Sequence, residues 1–229
     1  MNKHDQIKAF VKEELEIFGG PLYMPEISQE TDMEKITVSP DTKTISEFNS
    51  AIKGCMNCPL GATRTNFVFG AGNPDADIMF VGEAPGEKED LEGLPFVGRS
   101  GKLLTDILKA IDLTREDVYI ANILKCRPPN NRDPNKAEIE ECEPYLLKQI
   151  ELIKPKLLVA LGRISATTLL RTKDSLTAMR GQVFDYHGTD LVVTYHPAAL
   201  LRNPNWKRPA WEDFKKIREM YLEKKGDQD

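Results

Sequence analysis

Residues 78–86 read Ile-Met-Phe-Val-Gly-Glu-Ala-Pro-Gly, a short apolar run that stops on Gly82 and passes into a polar turn. Apolar residues in unbroken succession, without polar alternation, mark a strand buried on both faces. Three more such runs occur at 118–124, 157–161 and 191–195, separated by helical stretches at 101–111, 135–152 and 163–170 and succeeded by an amphipathic stretch at 209–222. Continuous apolar strands alternating with helices predict an α/β domain, a three-layer α/β/α sandwich around a central four-stranded parallel sheet.

In open parallel sheets the ligand crevice lies at the carboxyl ends of the strands. The segments at those ends here are Gly82 to Gly86, Asn122 with Lys125-Cys126, Gly162-Arg163, and His196-Pro197. These four segments are expected to converge, which predicts a site before any chemistry is assigned to it.

The sequence before the domain has a different texture. Residues 3–18 carry Ile7, Phe10, Val11, Leu15 and Ile17/Phe18 at helical spacing, and Gly19-Gly20-Pro21 ends the pattern. From Pro21 to about Ser46 the chain is polar, with prolines and no periodicity, as in a linker. We divide the chain into an arm at 1–46 and a domain at 47–229.

Composition narrows the function. With 40% apolar and 29% charged residues among 229, the chain supports one sizeable core. No stretch approaches the roughly 18 uncharged apolar residues of a membrane span, and Met1 to Phe10 lacks a signal peptide's apolar centre, so a cytoplasmic location is expected. The formal charge of -5 argues against a nucleic-acid partner until its distribution is considered. Of the 36 acidic and 31 basic side chains, 10 and 5 fall in residues 1–50, leaving 26 of each sign in the rest. A neutral domain binds DNA if its basic groups gather on one face, and Arg202, Lys207 and Arg208 are candidates for such a patch.

Cys55 and Cys58 form a C-x-x-C pair with Pro59 next to it, and Cys126 and Cys142 lie downstream. Without an export signal, four cysteines point to a metal or cluster rather than disulfides. Chemistry alone leaves structural zinc and an iron–sulfur cluster both open.

Several common sites are absent. Gly82–Gly86 lacks G-x-G-x-x-G, and Gly70-Ala71-Gly72 precedes a strand instead of opening a helix, so dinucleotide binding is set aside; G-x-S-x-G, the phosphate-cradling loop and H-E-x-x-H are missing too. There remain GEAPGEKED (82–90), PFVGRSG (95–101), ANILKCRPPNNRDP (121–134) and HPAALLRNP (196–204), with the four cysteines. Together these resemble the motifs of the family 4 uracil-DNA glycosylases, the iron–sulfur branch of the uracil-DNA glycosylase superfamily. The resemblance covers about residues 48–222.

It implies a monofunctional glycosylase that flips deoxyuridine out of single- or double-stranded DNA and hydrolyses the bond between base and sugar, with a [4Fe–4S] cluster on Cys55, Cys58, Cys126 and Cys142. Cleavage leaves negative charge on uracil, so preorganised donors are needed, and His196 would donate to the carbonyl oxygen where that charge collects. Asn122 offers a donor and an acceptor to uracil's edge, and Phe96 would stack on the flipped ring. Gly82, Glu83, Ala84 and Pro85 would line the pocket. Of the candidate carboxylates Glu83, Glu89 and Asp90, the resemblance gives Glu83 to water placement and Glu89 to excluding thymine's methyl group. Where the better-known branch has a water-activating Asp this chain has Ala84, so the water activator stays open. Leu200 is expected as an exposed wedge filling the space left by the extruded nucleotide, with Arg202 and Arg163 on phosphates. The lysine nucleophile of a bifunctional lyase is missing from the matched motifs. A monomer is expected, and the arm at 1–46 is open to a replication or repair partner. The competing reading is a non-catalytic nucleic-acid-binding module with a zinc or iron–sulfur staple.

Overall fold

The computed structural model describes residues 35–38 and 41–226, which belong to one unit beginning at Lys35. The helix expected at 3–18 lies outside the described residues. Within the stretch read as linker, Ile36 exchanges hydrogen bonds with the Asn57 amide at 2.9 and 2.8 Å. The Tyr145 hydroxyl also donates to the Ile36 carbonyl at 3.1 Å. Thr44 then opens a helix over Ile45–Ile52 through a reciprocal capping box with Glu47.

In chain order the elements are α1 (Ile45–Ile52), α2 (Leu60–Thr63), β1 (Ala71–Gly72), β2 (Ile78–Gly82), α3 (Glu87–Glu92), α4 (Arg99–Ala110) and β3 (Tyr119–Asn122). They continue as α5 (Lys136–Ile153), β4 (Leu157–Leu161), α6 (Arg163–Leu170), α7 (Leu176–Met179), β5 (Val183–Tyr186), β6 (Thr189–Thr194), α8 (Pro197–Arg202) and α9 (Lys207–Gly226).

The sheet corrects the expectation of four parallel strands. It has six strands in the order β1-β3-β2-β4-β6-β5 and is mixed. β3, β2, β4 and β6 pair in parallel, while β1 and β5 join the edges antiparallel. The edge strands escaped notice because β1 is two residues long and β5 alternates between exposed and covered positions, so neither carries a continuous apolar run. β5 turns into β6 through His187 and Gly188, at φ 52 and 84, the two left-handed positions of a tight hairpin.

Side-chain alternation divides the core between two faces of the sheet. Met79, Val81, Leu158, Ala160, Leu191 and Val193 join Phe48 of α1 and Tyr145 and Leu146 of α5. Ile78, Phe80, Leu157, Val159 and Val192 join Leu104 and Leu108 of α4 and Phe214 and Ile217 of α9. The crossover from β2 to β3 thus contributes α4 to one face, and the crossover from β3 to β4 contributes α5 to the other. The chain reverses its direction across the sheet between β2 and β4, and such a reversal opens a crevice at the strands' carboxyl ends.

Candidate active site

At that crevice lies a cavity of about 620 Å³ whose lining includes Glu83, Phe96, Asn122, His196, Arg163 and Trp206. All four strand-end segments therefore contribute to one site. Ala84, Pro85, Glu89 and Arg202 also face it.

Gly82, expected in the lining, instead lies behind it at the end of β2, against the Asn122 and Phe96 side chains. It pairs in register with Asn122 on β3. A Cβ at residue 82 would collide with the Asn122 side-chain oxygen and come within 2.8 Å of the Phe96 ring. Only a bare backbone lets the amide and the ring approach so closely. Asn122 is 2% exposed, and its Oδ1 is the buried side-chain polar atom that lacks a hydrogen-bond partner among the described residues. Leaving such an acceptor unpaired costs about 1–3 kcal/mol. Its main chain is held by the buried Lys125, whose ammonium donates to the Asn122 carbonyl at 2.8 Å and to Gln149 Oε1 at 2.6 Å.

Phe96 occupies the left-handed region at φ 53, which is rare for a bulky residue. Arg115 braces it, donating to the Pro95 carbonyl at 2.7 Å and the Phe96 carbonyl at 3.1 Å. Gly101 lies so close under the Phe96 carbonyl that no side chain fits there. The Phe96 ring sits 5.3 Å from the His196 ring, tilted by 31°.

His196 ends the β6 segment as the N-cap of α8, and Pro197 takes the first helical position, where its missing N–H is no loss. The imidazole Nδ1 accepts from the Ala198 backbone N–H at 3.1 Å. Burial pushes the imidazole pKa down to about 4, and the Arg202 charge adds to this against a smaller opposing pull from Glu89. The ring is therefore neutral near pH 7, with its proton on Nε2. Gly162 gives it room, since a Cβ there would stand 2.9 Å from the His196 Cβ.

Glu83 comes directly after Gly82, half-buried in the lining. Burial raises its carboxyl to about 7; Asp133 adds to the rise, while Arg163 and Arg202 oppose it. Arg163 also pairs with Asp133 at 3.4 Å at the rim. Glu89 holds the loop above the pocket, one oxygen accepting from the Val97 and Gly98 backbone N–H groups at 2.9 Å each. Asp90 does not face the cavity; its carboxylate accepts from the backbone of Thr65 and Asn66.

Leu200 departs from expectation. It is 2% exposed, buried with Tyr195 and Ala210, so it does not project as a wedge. The exposed apolar side chain on α8 is its neighbour Leu201, at 37%. Sequence reasoning also missed Asp133, Tyr195 and Trp206 in the lining and Arg115 behind it. Trp206, an aromatic among exposed basic residues, carried a usable signal; Arg115 carried none, being 19 residues from the loop it braces.

None of the four cysteines is in a disulfide, and Cys55, Cys126 and Cys142 join the core cluster of α1 and α5, with Cys58 against it. Hydrogen-bond donors surround them. Tyr145 OH and the Asn57 N–H reach Cys55 at 3.1 and 3.4 Å, Arg64 reaches Cys126 at 3.4 Å, and the Lys125 N–H reaches Cys142 at 3.2 Å. Burial raises Cys126 to about 11, Arg64 opposes this, and Cys58 and Cys55 add to it. The thiols thus lie within electrostatic reach of one another. Among the described residues no three Cys, His, Asp or Glu side chains close on a single point. One zinc ion needs sulfurs about 2.3 Å from a common centre. Four thiols with N–H and O–H donors at their sulfurs are a donor set that suits an iron–sulfur cluster and, by ligand type alone, zinc as well.

With a cavity at the switch point of an α/β sheet, the chain has the architecture on which known families can be compared. Residues 69–215 match the family model described as the Uracil DNA glycosylase superfamily. The chain is 49% identical to the type-4 uracil-DNA glycosylase of Sulfurisphaera tokodaii, over 78% of this chain and 86% of that protein. It is 45% identical to the Archaeoglobus fulgidus type-4 enzyme, over 78% and 94%, and 47% identical to the Thermotoga maritima one, over 76% and 93%. The chain belongs to the uracil-DNA glycosylase superfamily and, within it, to the type-4 family.

Proposed function

We propose that this protein is a monofunctional uracil-DNA glycosylase that accepts single- or double-stranded DNA, leaving free uracil and an abasic site for base excision repair. The observation that carries this reading is the orphaned Asn122 amide oxygen in a cavity that also holds a neutral imidazole. A buried acceptor left unpaired is retained where a ligand's N–H completes it, and uracil N3–H is such a donor. Asn122 then accepts from N3–H and donates to O4, whereas cytosine offers the reverse pattern.

The flipped base slides against Phe96 and beside the Ala84–Pro85 backbone. As the bond from sugar C1′ to uracil N1 breaks, its electron pair leaves with the base and spreads to the carbonyl oxygens. His196 Nε2–H donates to that developing charge, a preorganised donor that needs no proton transfer. Water adds to C1′ and gives up a proton, for which Glu83 is the receiving carboxylate within the lining. Glu89 sets the loop that closes on the 5-carbon. Arg163 and Arg202 meet phosphates, and Leu201 replaces Leu200 as the side chain able to enter the base stack.

Cys55, Cys58, Cys126 and Cys142 would hold a [4Fe–4S] cluster. When bound it supplies a structural tie between α1, the loop after β3 and α5, since the hydrolysis transfers no electrons. The central parallel strands and the two helical layers support a three-layer sandwich. Because α1 spans residue 47 and Ile36 is bonded to Asn57 and Tyr145, we move the start of the enzymatic domain from 47 to Lys35 and assign the residues before it to a repair or replication partner. The protein acts as a monomer in the cytoplasm.

The test is release of free uracil from a single-stranded or U·G-containing oligonucleotide without added metal. Alkali then cuts the strand at the abasic site. An oligonucleotide that survives alkali uncut overturns the reading in favour of a binding module.

A further inference from the structure

One aromatic side chain in the cavity lining, Trp206, has no part in the proposed reaction. Residues 201–208, Leu-Arg-Asn-Pro-Asn-Trp-Lys-Arg, are exposed without interruption, and they include three basic side chains and no acidic one. Among the described residues, none of Arg202, Lys207 and Arg208 forms an ion pair. In their midst Trp206 lines the cavity mouth while 40% of its surface stays exposed.

Trp206 is rigidly backed. Its ring stacks on Tyr195 with centroids 5.1 Å apart and planes 20° apart. The Arg180 guanidinium lies over the same Tyr195 ring at 4.2 Å and donates to its hydroxyl at 3.1 Å. Arg180 is fixed in turn by Asp213, at 2.7 and 2.9 Å, and by the Pro209 carbonyl at 2.7 Å. Asp213 also accepts from Thr194 at 2.6 Å. Trp206 is thus backed by Tyr195, which Arg180 and Asp213 tie to the domain, while part of the indole stays open beside the pocket. An exposed, preorganised aromatic face flanked by unpaired cations is the arrangement that binds single-stranded nucleic acid, through base stacking and phosphate contact together.

We propose that Trp206 is a stacking platform for the nucleobase next to the flipped deoxyuridine, so that single-stranded DNA is gripped by stacking as well as by charge. The proposal rests on the glycosylase reading for the identity of the ligand. Stacking is indifferent to which base is present and needs only a base freed from a complementary strand. It therefore favours single-stranded over fully paired substrate without imposing a sequence.

The chain's two tryptophans are Trp206 and Trp211, so Trp211→Phe in the full-length protein leaves Trp206 as sole reporter. A single-stranded oligonucleotide carrying 2′-fluorodeoxyuridine, whose fluorine slows cleavage, is titrated into it and should quench the indole emission. Trp206→Ala should weaken binding about 10-fold or more, the scale of one stacked base, while Trp206→Phe keeps most of the affinity. Replacing the nucleotide on each side of the uridine in turn by an abasic spacer should weaken the unsubstituted protein by the same factor at one side. Trp206→Ala should lose nothing further with that spacer. Unchanged emission, unchanged affinity of Trp206→Ala, or an equal loss by that variant on intact and spacer oligonucleotides overturns the proposal; the last means that the indole only supports Tyr195. Should the alanine variant fold poorly, the phenylalanine variant and the spacer series decide. Failure of the glycosylase reading is separate: the unsubstituted protein would release no uracil from the unfluorinated oligonucleotide, whatever the emission does.

Discussion

The Nδ1 atom of His196 accepts a hydrogen bond from the backbone N–H of Ala198 at 3.1 Å. That bond fixes the ring's orientation and its tautomer, because a nitrogen that accepts carries no proton. Nε2 is left as the donor facing the cavity. His196→Ala removes it, and uracil release should fall by roughly 100- to 1000-fold in kcat, as for loss of one preorganised donor. Single-turnover kinetics measures this; a fall of less than tenfold would remove His196 from catalysis.

The pH dependence should come from Glu83 and not from His196. The His196 pKa is pushed down to about 4, so the imidazole stays neutral until the pH falls that far. The Glu83 carboxyl is raised to about 7, so its basic form appears only as pH climbs through 7. Uracil-release kcat/KM should therefore rise through pH 7 and then level off, and Glu83→Gln should flatten the profile. The two groups oppose one another in stability. Between pH 4 and 6.5 the unfolded chain binds a proton at His196 that the folded chain refuses, so that contribution is lost as pH falls through the window. For Glu83 the folded chain holds a proton that the unfolded chain has released between pH 4.5 and 7, so its contribution is lost as pH rises.

Asn122→Ala separates function from folding. The substitution removes a buried acceptor that has no partner, which offsets the packing it also removes. Uracil release should drop about 100-fold while unfolding free energy in urea changes by no more than about 1 kcal/mol. A large loss of stability would mean that the amide is satisfied within the protein and does not await a base.

Arg115→Ala tests whether the backbone at Phe96 is held from behind. Two hydrogen bonds to the carbonyls of Pro95 and Phe96 disappear. At φ 53 the residue stores strain that the surroundings must offset. Uracil release should weaken roughly tenfold, at a stability cost of about 1–3 kcal/mol. Arg115→Lys restores one donor but not the fork, so rescue should be partial.

Cys126→Ser or Cys142→Ser should abolish a broad absorption near roughly 400 nm and the bound iron, and lower thermal stability, because a metal group held by folded ligands contributes its binding energy to folding. Protein prepared without oxygen that is colourless and carries zinc would overturn the cluster assignment.

The parallel core and the strand ends that border the pocket were legible in the order of residues alone. Unbroken apolar runs such as Ile78–Val81, bounded by glycine and alternating with helical stretches, read as central strands, and their carboxyl ends then meet at one edge. Asn122, His196 and Glu83 could therefore be read in one dimension. The edge strands could not, since β5 alternates between exposed and covered positions, and antiparallel pairing is settled by its neighbour β6. Whether Leu200 or Leu201 faces outward was equally invisible. On a six-residue helix the buried side depends on how α8 is rotated against Tyr195 and Ala210. The same holds for the left-handed Phe96, for Arg115 behind it and for the stacking of Trp206 on Tyr195. Their roles arise from contacts between segments distant in sequence, and no local periodicity records which of those contacts the folded chain makes.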